Sequence, residues 1–97
     1  MNVEWTENAI GHLVHIYEYI GANSKTYARK MVDKITKRSS QIADFPLSGR
    51  KVPEYDTEDI REVIESPYRI IYRIQADQIH ILAVIHGARQ LPHDFEY

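Results

Sequence analysis

The chain has 97 residues, of which 43% are hydrophobic and 27% charged, with 12 basic and 14 acidic residues giving a formal net charge of −2. A chain this short buries about 60–65% of its unfolded surface, which supports one core and excludes two, and the composition excludes long disorder. The absence of cysteine excludes disulfides, thiol catalysis and thiolate metal sites, and the slightly acidic balance gives no long-range attraction for nucleic acid. The expectation is one domain over residues 1–97. The first residues have neither the basic nor the apolar region of a signal peptide, and no stretch is apolar enough to span a bilayer, so a cytoplasmic protein without membrane contact is expected.

Asn2 to Trp5 alternates polar and apolar residues and predicts a short first strand. Thr6 then reads as an N-cap, with Glu7 at the positive end of a helix dipole. Ala9, Ile10, Leu13, Val14, Ile16, Tyr17 and Ile20 recur at helical spacing and predict one buried stripe ending at Gly21. A second helix begins near Ser24 and repeats the pattern through Ala28, Met31, Val32, Ile35 and Ile42, with Arg29, Lys30, Lys34, Lys37 and Arg38 on its wet side. It stops before Phe45-Pro46. The short link at Gly21, Ala22 and Asn23 predicts an antiparallel helix hairpin. Leu47 to Asp59, with Gly49, Pro53 and four acids, reads as loop.

Three strands follow, near Ile60 to Glu65, Tyr68 to Gln75 and Gln78 to His86. With Ala76-Asp77 as a two-residue turn, Ile74 is expected opposite Ile79, Tyr72 opposite Ile81, Ile70 opposite Ala83 and Tyr68 opposite Ile85. The other face then pairs Arg73 with His80, Ile71 with Leu82 and Arg69 with Val84, and His86 falls on the same side as both arginines. The predicted fold class is α+β: an N-terminal strand and a two-helix antiparallel hairpin packed on a small, mainly antiparallel β-sheet. The reverse face, basic and apolar, is left for water or a partner.

Phe45-Pro46 with Gly49-Arg50, Ile60-Arg61-Glu62, Tyr68-Arg69-Ile70-Ile71-Tyr72-Arg73-Ile74, and Ile81-Leu82-Ala83-Val84-Ile85-His86 with Arg89 form an ordered set that resembles the RelE/ParE superfamily of toxins from bacterial type II toxin-antitoxin systems. The resemblance runs from Trp5 to about Arg89 and implies the same fold. It also implies one of two activities. RelE-like members cut messenger RNA in the ribosome, and ParE-like members poison DNA gyrase; both are silenced by a cognate antitoxin, with which a hetero-oligomer is expected. No cofactor is expected.

Cleaving RNA through a 2′-hydroxyl needs a proton acceptor, a proton donor and cations for the developing charge. The resemblance puts nuclease arginines at Arg69 and Arg89, which are present. It puts a lysine pair at the positions of Ile60 and Glu62, and a late tyrosine at the position of Phe95, which are absent. An apolar residue and an anion in place of two cations repel phosphate, so the ParE-like reading, with gyrase as target, is preferred. The alternative nuclease reading rests on Arg69, His86 and Arg89.

Arg61, Arg69, Arg73, His86 and Arg89 are therefore the candidate target- or antitoxin-binding residues. Against this stand cross-strand pairing of Arg69 and Arg73 with Glu62 or Glu65, a sheet-edge role for Arg61, and an ordinary hydrogen-bonded histidine at His86. His12 and His15 lie three apart on the first helix, but no further ligand is near in sequence. Solvated positions and no metal are expected. Tyr68 and Tyr72 are assigned to the core, and Gly87 to Tyr97 to an extended or frayed end whose Phe95 and Tyr97 an antitoxin could cover.

Overall fold

The structure is a computed structural model and describes residues 1–89 and 91. Strand β1 (Asn2–Trp5) leads into helices α1 (Glu7–Gly21) and α2 (Lys25–Ile42), then the short strand β2 (Arg50–Lys51) and the three long strands β3 (Ile60–Glu65), β4 (Tyr68–Gln75) and β5 (Gln78–His86). The five strands form one sheet in the order β1-β5-β4-β3-β2, antiparallel except for the parallel β1–β5 pair.

Both helices start as their caps dictate. Thr6 Oγ1 accepts the Ala9 amide at 3.1 Å and Ser24 Oγ the Tyr27 amide at 3.1 Å, each satisfying an otherwise orphaned donor of the first turn. Along α2, Ala28, Met31, Ile35 and Ile42 are buried at the expected spacing. The stripe on α1 is narrower than its apolar positions suggest. Ala9 and Ile16 are buried, whereas Ile10, Val14 and Tyr17 are 48%, 51% and 37% exposed, because they lie too far round the helix to reach the sheet.

The turn at Ala76-Asp77 is where the sequence places it, and Ile74–Ile79, Arg73–His80 and Tyr72–Ile81 pair as expected. Beyond them a β-bulge intervenes: Ile71 pairs with Ala83, leaving Leu82 as the extra residue. The expected pairs Ile71–Leu82, Ile70–Ala83, Arg69–Val84 and Tyr68–Ile85 are thus replaced by Ile71–Ala83, Ile70–Val84, Arg69–Ile85 and Tyr68–His86. Leu82 to Ile85 is apolar throughout, so its pattern holds no information about which residue faces which side.

One core lies between helices and sheet, with Ile35, Ile70, Tyr72, Ile79 and Ile81 among its buried members. A second, against the expectation that the length allows only one, lies on the reverse of the sheet, where Ile60, Ile71, Leu82, Ala83 and Ile85 meet Val52 from the loop after β2 and Leu91. That face was expected to be open to water or a partner. It is covered instead by the 52–59 loop and the stretch after β5. The reading of 47–59 as loop also missed β2, whose two residues pair with Arg61 and Glu62 and place β3 inside the sheet.

The connection before β2 is held tightly. Tyr72 Oη donates to Pro46 O at 2.7 Å and accepts the Gly49 amide at 3.0 Å, so this core tyrosine does reach a polar rim. A side chain at Gly49 would place its Cβ 2.5 Å from Tyr72 Oη and 2.6 Å from Glu62 O; only glycine fits there.

Candidate interaction site around Arg69 and Arg89

β4 points Arg69 to the reverse face, where it is 5% exposed and entirely engaged. Its Nε and Nη2 reach Glu62 Oε1 at 2.6 Å, Nη1 and Nη2 grip the two Glu54 oxygens at 3.0 and 2.9 Å, and Nη1 also donates to the Arg89 carbonyl at 3.0 Å. Four guanidinium hydrogen bonds and the further Nη2–Glu62 ion-pair contact thus surround the group with acceptors. The other oxygen of Glu62, a side chain with no solvent exposure, accepts from Arg50 Nε at 2.6 Å. Counting Arg50, whose side chain is 66% exposed, two arginines and two glutamates cancel, so the cluster carries no surplus charge.

Glu54 is the member that sequence reasoning missed. From sequence it is one of the four acids of a stretch that reads as loop, yet the path from Val52 brings it over the sheet beside Arg69. The Arg69 fork, opposed by desolvation and helped by the Leu91 amide, holds the Glu54 pKa down at about 2 from an ordinary 4.5. In turn the Glu54 contact and, after desolvation, Glu62 raise that of Arg69. Glu54 Oε2 also accepts the Leu91 amide at 3.0 Å, tying down a segment that was expected to fray. Phe95 and Tyr97 lie outside the described residues.

The remaining candidates fall in three different places. Arg61 pairs with Tyr72 in the sheet and is spent locally, donating from Nη1 to Gly49 O at 2.8 Å and from Nε and Nη2 to the Glu58 carbonyl and carboxylate at 3.1 Å. Arg73 pairs with Asp59 at 3.3 Å, not with Glu62 or Glu65. His86 is parted from the arginines: the bulge turns it to the helix side, edge-on to Tyr68 with ring centres 6.1 Å apart. The expected shared face of Arg69 and His86, and with it the nuclease constellation drawn from sequence, is not formed.

His86 instead lines a largely apolar cleft of about 270 Å³ between α1 and the end of β5, together with His12, His15, Tyr19 and Tyr68. His12 was expected in water but is half-buried. β1 stops at Trp5, so the outer edge of β5 beyond Ile81 has no strand beside it, and α1 supplies side chains instead. Thr6 Oγ1 donates to Ile81 O at 2.9 Å and His12 Nδ1 accepts the Val84 amide at 3.1 Å. Burial first, then Arg89 and His15, lowers the His12 pKa, which keeps that nitrogen free to accept. Among the described residues no three histidine, aspartate or glutamate side chains group as metal ligands.

A second cleft of about 320 Å³ opens on the reverse side between Arg50, Pro53, Glu54, Arg69 and the Gly87–Arg89 turn. Arg89 lines both clefts, is exposed, and forms no ion pair among the described residues.

Residues 3–91 match the model of the ParE toxin of the type II toxin-antitoxin system parDE. The chain belongs to the ParE toxin family. Among curated relatives, this ParE-family chain is 33% identical over 88 residues to Toxin RelE2 of Caulobacter vibrioides, covering 90% of this chain and 96% of that one. It is 32% identical over 90 residues to Putative toxin Y4kP of Sinorhizobium fredii, covering 93% and 92%. In fold it matches a chain of the chromosomal ParDE system of P. aeruginosa, with a TM-score of 0.74 and 24% identity over 89% of this chain and 95% of that one. The strand, helix hairpin and mainly antiparallel sheet are therefore the ParE toxin architecture, and membership implies a cognate antitoxin as partner.

Proposed function

We propose that this type II toxin-antitoxin toxin arrests growth by binding DNA gyrase in the cytoplasm, forms a hetero-oligomer with its antitoxin when silenced, and has no nuclease chemistry of its own. The observation that carries this reading is the state of Arg69. A nuclease needs cations free to meet phosphate, whereas Arg69 is buried and fully paired in a cluster with no net charge. Ile60 and Glu62, where the nuclease pattern has lysines, belong to that reverse face, and Glu62 is the carboxylate that neutralises Arg69. Docking to ribosomal RNA draws on counterion release, which a chain of net charge −2 supports poorly. Binding a protein needs shape and a few exposed anchors, and Arg89 at the seam of two clefts is one. In keeping with a cytoplasmic site of action, no helix among the described residues is long and apolar enough to cross a membrane.

The test is to add the purified chain to a gyrase supercoiling reaction and, separately, to programmed ribosomes. Inhibited supercoiling with intact message supports the proposal. Cleaved message overturns it in favour of a ribosome-dependent endonuclease, and inactivity in both leaves a chain that binds its antitoxin alone.

A further inference from the structure

The resemblance puts nuclease arginines at both Arg69 and Arg89, and both are candidate binding residues, but they occupy unlike positions: Arg69 is buried among acceptors, while Arg89 is exposed. The link between them is the Arg89 backbone. Its carbonyl accepts from Arg69 Nη1 at 3.0 Å, and two residues on, the Leu91 amide donates to Glu54 Oε2 at 3.0 Å. On the near side the turn is closed by Gly87 N to Pro67 O at 2.7 Å, Arg89 N to His86 O at 2.9 Å and Ala88 N to His86 Nδ1 at 3.3 Å. Leu91 is then buried in the reverse-side core. Nothing in the local sequence Gly87-Ala88-Arg89 would hold this conformation by itself, and the contacts that do so come from β4, β5, the β3–β4 turn and the 52–59 loop.

We infer that Glu54 and Arg69 are positioning residues: by gripping the Arg89 carbonyl and the Leu91 amide they set the Arg89 side chain at the seam between the two clefts, where it meets an acidic group on the target protein. The inference rests on the reading that the chain acts by binding a protein target. It assigns Arg89 the contact and Arg69 none. An arginine at 69 is needed for its planar fork, which holds two carboxylates and one carbonyl at once. Lysine has three donors on one nitrogen and cannot spread them over Nε, Nη1 and Nη2 positions to grip Glu54 with two parallel bonds while holding Glu62 and the Arg89 carbonyl.

The experiment compares Arg89→Ala, Glu54→Gln and the double variant in the full chain, scoring growth arrest on induced expression, gyrase inhibition, thermal stability, Leu91 amide exchange and 15N relaxation of Arg89 Nε. Arg89→Ala is expected to lose potency about tenfold or more with an unchanged melting temperature, as a truncated interface anchor does. Glu54→Gln is expected to lose comparable potency, exchange its Leu91 amide about tenfold faster and loosen Arg89 Nε. Because Glu54 acts through Arg89, the double variant should be no weaker than Arg89→Ala alone. Equal losses from Glu54→Gln with and without Arg89 overturn the inference, as does an Arg89 Nε unaffected by Glu54→Gln. The relaxation and exchange readings judge positioning even if the unmodified chain proves inert on gyrase, so failure of the target and failure of the clamp give different results.

Discussion

On the helix side of the sheet, Ile35, Ile70 and Tyr72 are sealed by two amphipathic helices whose caps and spacing are local. On the reverse side, Ile60, Ile71 and Ile85 are sealed by an irregular loop and a short strap after β5, which no backbone ladder joins to each other among the described residues. The difference lies in what does the fastening. Helices satisfy their own backbone and need only bury a stripe, whereas the loop and strap have amide and carbonyl groups to satisfy, and the Glu54–Arg69 pair supplies partners for two of them. The helix side thus depends on area, and the reverse side on a buried charge cluster that is also coupled to the exposed Arg89.

This contrast can be broken most sharply by Arg69→Ala, which strands Glu54 without its cation and leaves buried Glu62 with Arg50 alone; chemical denaturation should show a loss of about 3–5 kcal/mol. Ile35→Ala on the helix side should cost about 3 kcal/mol, from lost transfer free energy and a cavity. The two losses separate with pH. Since the Glu54 pKa is about 2 folded against an ordinary 4.5, its contribution is complete above pH 4.5 and is lost as pH falls through 2. Denaturation midpoints between those limits should therefore fall in the wild type and fall less in Glu54→Gln, while the penalty for Ile35→Ala stays constant.

A smaller effect tests where the two sides meet. Gly49→Ala forces its Cβ onto Tyr72 from the helix-side core and onto the Glu62 backbone, and about 2 kcal/mol should be lost. The smallest concerns the β4–β5 turn that both faces share. Ala76 has φ of 54°, a left-handed conformation that suits glycine, so Ala76→Gly should raise stability by about 1 kcal/mol in thermal or chemical melts. A gain there without any change in growth arrest would show that the turn sets pairing and takes no part in binding.

Much of the fold was legible because it rests on short-range signals. Thr6 and Ser24 are caps by type and position, the α2 stripe repeats at helical spacing, and the Ala76-Asp77 turn fixes the pairs from Gln75–Gln78 to Tyr72–Ile81. The site was less legible. His86 was assigned to the arginine face because strict alternation was carried through Leu82, and an all-apolar run gives no sign of a bulge. Glu54 was passed over because an acid between Pro53 and Tyr55 looks like a solvated loop residue. One signal was available: Glu62 sits at an inward position of a strand, where a carboxylate requires a cation, and Arg69 on the next strand was already among its expected partners.

By itself the sequence determined the helices, four of the five strands, the turn that joins the last two and the residues by which the family is recognised, since each depends on neighbours a few positions apart. Which charges are buried, which one is exposed and which way His86 faces were decided only by the tertiary structure. Those outcomes depend on residues 54, 62, 69 and 89 meeting across the sheet and on one unpaired residue in β5.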